Sequence, residues 1–506
     1  MTAFNRRRVK AELELSAQID AAVASYSRNP KRLRRLTRQL RCPETRKPCR
    51  KCAKHLLKHE PDSIEAIASL IFCYAGGGAR TQLRTALDRA HQRSQGDPKL
   101  LDKILTKVRS NLDTEECGAL DELLQNYNDE AAEIARRQPI NLEAQKRLLE
   151  RTDVVANSCD VIAIAANEGP YIAEFIHHYL YQGFSNLFIG LNNDTSGQTG
   201  PIIAAIAQHY PQVHLINTDQ EHQLGRQRAS YCKLYDTASS ITKASHCMVV
   251  DVDESWVAYP FSTKINTFLG AHPKADVISS NWLHCHGANL FDNPLDLSNT
   301  HLRLTDQFKS VFRYGVAVTD LGCHVPSVQA EPEIHHTTTD RQAVKSKPVN
   351  GLRRLSKGGL QASIQKENTG WVIHRHTRSE LEYAGKVLYP YANKQKQFKP
   401  NRKGYLLPKE SVESRQLASN LLGPSHQPPQ TYLDSLETFI DRCGIHELIA
   451  AARAEIGEEP INMRIKAMHP DEISRNRSIW SRTFRGTRFL KLLEERSRKS
   501  SLEKDD

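Results

Sequence analysis

An apolar run, Cys247-Met248-Val249-Val250, passes directly into Asp251-Val252-Asp253-Glu254, three acids with one hydrophobic spacer. Alternate side chains of an extended chain share a face, so Asp251 and Asp253 are expected to converge at a strand's carboxyl end. Hard divalent cations want oxygen ligands, and Mg²⁺ or Mn²⁺ in phosphate chemistry takes one or two carboxylates plus phosphate oxygens. The pattern therefore reads as a metal-diphosphate site, or as a strand end whose acids cap the next turn. A second polar cluster, Asn167-Glu168-Gly169-Pro170-Tyr171, follows the apolar run Val161 to Ala165. Asn167 and Glu168 are placed there to hydrogen-bond a base or ribose, or to start a helix ahead of Pro170. His284, His286, His324, His335 and His336 populate the region that follows. None stands in the His-Glu-x-x-His arrangement of hydrolytic zinc sites, which argues against zinc hydrolysis. Cys42, Cys49, Cys52 and His55 match a tetrahedral zinc site only loosely.

The elements that must position these groups follow from hydrophobic periodicity. Val161 to Ala165, Leu187 to Leu191, Val213 to Ile216 and Cys247 to Val250 read as buried strands. Between them, Ile172, Phe175, Ile176, Tyr179 and Leu180 share one helical face, and Pro201 to His209 and Arg226 to Ile241 continue the helical texture. Such alternation predicts a mostly parallel sheet with helices on both faces, and ligands at the carboxyl ends of its strands. From Arg8 to Arg151 the pattern is helical, and Asn29-Pro30, Glu60-Pro61 and Asp97-Pro98 are spaced near the roughly 34-residue period of helix-hairpin repeats. A tetratricopeptide-like domain or a plain helical bundle fits. After about Pro260 loops and a mixed-sheet extension are expected. Lys345 to Gly359, basic and glycine-bearing, suits a mobile flap, and a linker and helical tail follow from about Pro400. The expected division is 1–152, 153–400 and 401–506.

No run of 18 or so apolar residues is present, so a membrane-spanning helix is not expected. The amino terminus has basic residues without a following apolar segment, unlike a secretory signal. Eleven scattered cysteines, several inside apolar runs, fit free thiols in a reducing cytoplasm. The 70 Lys and Arg against 58 Asp and Glu give a formal net charge of +12, which steers toward anionic partners. The runs Lys31 to Arg35 and Arg46 to Lys51 are solvated helix faces, or dock an anionic inner membrane face, an acidic glycan or a protein partner. Aromatics for stacking bases are sparse there, which disfavours nucleic acid.

Asn167 to Tyr179, followed by Gly183-Phe184-Ser185-Asn186-Leu187-Phe188-Ile189, resembles the opening of family 2-like glycosyltransferases of GT-A fold. The acidic strand end Asp251-Val252-Asp253-Glu254 is similar to that group's metal motif. Ile373 to Tyr383 with Lys386 is similar to its later histidine motif. The three occur in the family's order over about Asp153 to Lys399. Two departures stand out: the aromatic after the acids is displaced to Trp256, behind Ser255, and the usual His-Tyr pair is His374-Arg375.

The resemblance implies an α/β fold of GT-A type, a Rossmann-like mixed sheet, with an all-α amino-terminal domain and a helical carboxy-terminal extension. It implies sugar transfer from a nucleotide-diphosphate sugar, expected to be a UDP-sugar, to a glycan or glycoconjugate acceptor. Asp251, Asp253 and His374 would hold Mn²⁺ or Mg²⁺, with the choice between His374 and His376 open. Asn167, Glu168, Asp194, Gln227, Arg228 and Asp251 would face the donor nucleotide sugar. An inverting transfer needs a carboxylate base near the acceptor hydroxyl. Asp306 and Asp320 are preferred over Asp292, Asp296 and Glu331 because they flank the run Phe308 to Val318. The alternatives are a catalytically inactive helical-repeat scaffold and a different metal-dependent phosphoryl or nucleotidyl transferase.

Overall fold

The structure is a computed structural model that describes residues 152–316, 334–344, 369–388 and 402–502, with shorter stretches of the amino-terminal region and of 318–328. The chain divides into two compact units, Met1–Ala135 and Arg136–Asp506.

The first unit is helical, with α1 (Pro30–Gln39), α2 (Arg46–His59), α3 (Ile64–Ala75) and α4 (Pro98–Arg109). In α2 the buried residues are Cys49, Cys52, Ala53, Leu56 and Leu57, the three-and-four spacing of an amphipathic helix. In α3 every residue from Ala66 to Tyr74 is buried, so this helix is the centre of the bundle. Glu65 ties three helices together, accepting from Arg38 at 2.8 Å, Arg41 at 2.6 Å and Lys107 at 3.0 Å. Cys49 and Cys52 are wholly buried in this core, and Cys42 lies outside the described residues.

The second unit is α/β. It runs β1 (Val155–Ala165), α5 (Ile172–Tyr181), β2 (Leu187–Leu191), α6 (Thr199–His209), β3 (Val213–Asn217), α7 (Asp219–Ile241) and β4 (Ala244–Asp251). Then follow β5 (Glu254–Tyr259), α8 (Ile265–Gly270), β6 (Val277–His286), β7 (His301–Arg313), β8 (Val318–Leu321), β9 (Pro326–Val328), β10 (His336–Thr338), β11 (Thr369–Arg378) and α9 (Glu380–Leu388). The sheet order is β3-β2-β1-β4-β7-β6-β11-β5, with β10 beside β6, and β8 and β9 form a separate ribbon. The first four strands are parallel. β7 then runs antiparallel between β4 and β6, and β11 pairs parallel with β6 and antiparallel with β5. β5 closes the strand order at the opposite end from β4's neighbours, yet only Val252 and Asp253 separate β4 from β5. Three peptide units span at most roughly 11 Å, so the sheet curls and brings β11 back toward the carboxyl end of β4.

Both faces of the parallel strands are covered, which is why they read as continuous apolar runs. Val161, Ala163, Met248 and Val250 point into one core, and Ile162, Cys247 and Val249 into the other. The carboxy-terminal helices α10 (Val412–Leu422), α11 (Gln430–Cys443) and α12 (His446–Ala454) supply residues to these faces, including Leu436, Phe439 and Ala452. The later helices α13 (Glu458–Ala467), α14 (Pro470–Arg475), α15 (Arg477–Thr483) and α16 (Phe489–Leu502) pack with α9 around Trp480 and Phe484. The helical tail is thus part of the α/β unit. Among the described residues no helix is long and apolar enough to cross a membrane.

One expectation needs correction. β4 ends at Asp251 and Val252-Asp253 is a turn, so the two aspartates are not alternate residues of one strand. The change of strand direction at β5 forces that turn. The sheet is mixed, as expected for the part after about Pro260: β7 pairs antiparallel with β4 and β6 and β5 antiparallel with β11, while β10 and β11 pair parallel with β6. The 345–359 stretch lies outside the described residues.

Candidate functional site

The site is built where β1 and β4 end. Asp251, last residue of β4, accepts from Tyr231 Oη of α7 at 3.1 Å and from Lys309 Nζ of β7 at 3.2 Å. Lys309 also meets Glu254 Oε2 at 2.9 Å, and both side chains of that pair are sealed from solvent. Glu254 Oε2 accepts the Asp251 amide at 2.9 Å, while its Oε1 has no hydrogen-bond partner among the described residues. Burial drives the Glu254 carboxyl well above its usual range, against Lys309, and the neighbouring Asp251 and Asp253 add to the rise.

Asp253, on the turn, is met from the opposite side by β11 and α9. Its backbone carbonyl accepts from the Arg375 amide at 2.8 Å, which pins the turn to β11. Its carboxylate lies 2.9 Å from Lys386 Nζ and 3.7 Å from His374 Nε2. Lys386 Nζ is also 3.7 Å from Glu168 Oε1, at the end of β1. One ammonium therefore joins the Asn-Glu-Gly segment, the acidic turn and the late histidine segment. Burial acts to raise the Asp253 carboxyl, but Lys386, then His374 and Arg402, hold it well below the usual carboxylate range. Burial in turn pushes His374 down to about 3, against the pull of Asp253, so at neutral pH Lys386 is the cation that keeps Asp253 ionised.

A capping box sets Lys386 in place. The Ser379 amide donates to Glu382 Oε2 at 3.1 Å and the Glu382 amide donates to Ser379 Oγ at 3.2 Å, so α9 starts there. One turn beyond Glu382, Lys386 then points at the acidic turn.

Parallel pairing of β6 with β11 puts His374 beside His284. Alternation brings His286 and His376 to the same face, with ring centroids 4.9 Å apart for His284–His374, 5.2 Å for His284–His376 and 5.0 Å for His286–His376. Trp282 closes the row, 4.5 Å from His374. Burial lowers all four imidazoles, His286 and His376 to about 4 each. Of His374 and His376, His374 is the one beside Asp253.

No family model and no curated protein matches the sequence.

The other sequence-selected residues fall in varied places. Asp194 is spent on the start of α6: its carboxylate accepts from the Thr199 amide at 2.9 Å, Thr199 Oγ1 at 2.9 Å and Ser196 Oγ at 2.8 Å. Asn167 adopts a left-handed backbone (φ 57°) and its Oδ1 accepts from the Ser196 amide at 2.8 Å. It locks the β1 and β2 loops together. Gln227 and Arg228 are exposed on α7. Asp306 is half-buried on β7, three residues before Lys309, while Asp320 lies on β8 opposite Ser327 with its side chain outside the described residues. Asp292 and Asp296 hold their own loop, accepting from the Asn289 and Ser298 amides, and Glu331 lies outside the described residues.

Sequence reading leaves Lys309, Tyr231 and Arg402 unassigned and gives Lys386 no role. Lys309 carries no local signal, because its partners lie on another strand. Lys386 does carry one: Ser379-x-x-Glu382 announces the helix, and four residues on is a lysine.

Asp253 Oδ1 and His374 Nε2, 3.7 Å apart, fall within the roughly 4 Å that separates two ligands on opposite sides of a cation bound at about 2.1 Å. A carboxylate with an imidazole suits Mn²⁺ better than Mg²⁺. Among the described residues no three His, Cys, Asp or Glu side chains already converge on one point. Further ligands would be phosphate oxygens and water, as such cations usually keep.

Proposed function

We propose that this protein is a metal-dependent glycosyltransferase of GT-A architecture. It transfers a sugar from a nucleotide-diphosphate sugar, a UDP-sugar by resemblance, to a glycan or glycoconjugate acceptor. The observation that supports this reading best is the meeting of Glu168 and Asp253 at Lys386, with His374 on the other oxygen of Asp253, at the carboxyl ends of β1 and β4. Segments that resemble three separate motifs of that enzyme group, about 200 residues apart at the extremes, thereby share one locus in space.

Asp251, Asp253 and His374 would hold Mn²⁺ or Mg²⁺, which when bound neutralises charge growing on the departing diphosphate. This chain's own residues do the rest. Lys309 and Tyr231 fix Asp251 at the strand end, and the Arg375 amide fixes the turn that carries Asp253. Asn167 and Asp194 hold the β1 and β2 loops around the crevice where a donor nucleotide would sit. For an inverting transfer, Asp306 on β7 and Asp320 on β8 stand as the candidate bases. The free buried thiols and the basic α1 and α2 suit a cytoplasmic enzyme that meets an anionic membrane face or a protein partner.

A thermal-shift screen with Mn²⁺ and a panel of nucleotide sugars tests this reading, because a ligand that binds only the native state raises its stability. A donor- and metal-dependent rise supports transfer. No response to any donor favours the inactive scaffold, and a response to nucleoside triphosphates alone favours phosphoryl or nucleotidyl transfer.

A further inference from the structure

Ahead of α10 the chain runs as an irregular strap, Lys403-Gly404-Tyr405-Leu406-Leu407-Pro408-Lys409, in which Leu406 and Leu407 are 44% and 47% exposed. Val412, in the first turn of α10, is 83% exposed. Three of the ten large hydrophobic residues exposed among the described residues thus fall within seven positions. Leu407 also lies against Gly287, at the start of the loop that carries Leu290, a further exposed leucine. Single exposed leucines are ordinary, but several from neighbouring segments mark an interaction surface. We propose that this strap docks the protein on an anionic lipid surface, with its leucines at the acyl boundary and its lysines at the headgroups. The proposal goes beyond the reading above. It places a membrane contact on the α/β unit, on residues other than those of α1 and α2, and does not depend on which reaction the site performs.

The leucines are held out by the way the strap is fastened. The Tyr405 amide donates to the Arg485 carbonyl at 2.8 Å, and the Gly404 amide donates to Tyr383 Oη at 3.1 Å. Gly404 and Gly486 have φ of 108° and 85°. A Cβ at Gly404 would stand 2.6 Å from the Arg485 carbonyl oxygen, and one at Gly486 would stand 2.2 Å from that of Tyr405. The two backbones approach this closely because both positions lack a side chain. At the other end, Glu410 accepts from the Leu302 amide at 2.9 Å and from Arg415 Nη2 at 2.6 Å, and Ser411 caps α10 by accepting the Ser414 amide at 3.2 Å. A strap fixed at both ends presents Leu406 and Leu407 in one pose, so little ordering entropy is lost when they bind.

Charge selects the occupant. Lys403, Lys409 and Arg485 are exposed around the leucines. Of the two acids in the stretch 402–413, Glu410 is paired with Arg415 and only Glu413 is fully exposed. Apolar tips ringed by cations match a bilayer with anionic headgroups over an apolar interior, to which juxtaposed lysines and arginines are drawn. A protein partner would have to offer an apolar socket and an acidic rim together.

The strap also reaches the strand that carries His374. Tyr405 Oη donates at 3.5 Å to the carbonyl of Arg378, the last residue of β11. Docking through the strap would therefore set the end of β11 beside the lipid, where a lipid-borne acceptor is presented.

Flotation of the full chain with vesicles of phosphatidylcholine alone, and of phosphatidylcholine and phosphatidylserine in three parts to one, tests the contact. The expected result is binding at least tenfold stronger to the anionic vesicles. It should fall at least tenfold in Leu406→Ser/Leu407→Ser and several-fold in Lys403→Gln/Lys409→Gln, with melting curves unchanged because all four side chains are exposed. Leu407→Trp supplies a local probe, since the four native tryptophans are all buried. Its added emission should shift to the blue on anionic vesicles and be quenched by brominated acyl chains. Absence of vesicle binding, full binding by the double serine variant, or Leu407→Trp emission that vesicles leave unmoved overturns the strap as a lipid contact. Self-association of the wild type that the serine variant abolishes, without vesicle binding, also overturns it and gives the leucines to a second copy of the chain. The two readings fail separately. Strap-dependent vesicle binding without turnover of any nucleotide sugar keeps the contact and removes glycosyl transfer, and donor turnover without vesicle binding does the reverse.

Discussion

Lys386 Nζ lies 2.9 Å from Asp253 Oδ2, so the carboxylate expected to hold a metal is already paired with a lysine from a helix 133 residues further along the chain. A cation held between Asp253 Oδ1 and His374 would share the carboxylate with this ammonium and be repelled by it. Lys386→Met should therefore strengthen Mn²⁺ binding to the ligand-free protein several-fold, and electron paramagnetic resonance of free Mn²⁺ measures it. Weaker Mn²⁺ binding in that variant would mean that Lys386 supports the cation rather than competing with it.

The same pair sets a stability prediction. Removing Lys386 leaves a largely buried carboxylate without its main cation, and because Lys386 is about a quarter exposed the cost is on the order of 2 kcal/mol, below the range for a fully buried pair. In the double variant Lys386→Met/Asp253→Asn most of that cost should return. Urea denaturation of the four proteins of the cycle gives the coupling, and strict additivity would contradict it.

Lys309 and Glu254 form a pair with no solvent exposure on either side chain. Lys309→Met should cost about 3–5 kcal/mol at pH 7. Glu254 has a carboxyl raised above its unfolded value, so between the two values the folded state holds a proton that the unfolded state lacks. Stability from this group is lost as pH rises through that window and recovered as pH falls. The penalty of Lys309→Met should accordingly shrink as pH falls, as read from denaturation midpoints across a pH series.

Two other buried histidines predict the opposite slope. His178 is held at about 4 and His246 at about 3 by burial, the first despite a 2.7 Å bond to the Trp256 carbonyl. Both are neutral in the fold and titrate near 6.5 when unfolded, so stability falls as pH drops below 6.5 toward those values. Each group contributes about 1.4 kcal/mol per pH unit within its window. His178→Gln should flatten the decline by one proton, and an unchanged slope would show that His178 is not neutral in the fold.

The parallel half of the sheet is legible because β1 to β4 are buried on both faces and separated by helices with one apolar stripe. Val161 to Ala165 and Leu187 to Leu191 announce themselves as unbroken apolar runs. The return of β5 to the far edge is not legible, since its pairing with β11 joins residues more than 100 positions apart and leaves no local trace. That long-range pairing is also what seats His374 beside Asp253. The chemistry of Asp251 and Asp253 reads from their types, but their separate lysine partners do not, because the turn at Val252-Asp253 breaks the alternation that an extended strand would impose. Asp194 illustrates the reverse case: an acid after an apolar strand suggests a ligand-facing group, while the amides of α6 consume it.

The central claim is that Asp253 belongs to a metal-assisted site for nucleotide sugars. The most direct measurement is the release of nucleoside diphosphate from a nucleotide sugar by purified wild type and Asp253→Asn, with and without Mn²⁺, alongside their melting curves. Metal-dependent release by the wild type, reduced at least a hundredfold in Asp253→Asn while cooperative melting persists, is the predicted result. Equal release by both proteins, or release indifferent to a chelator, would contradict it.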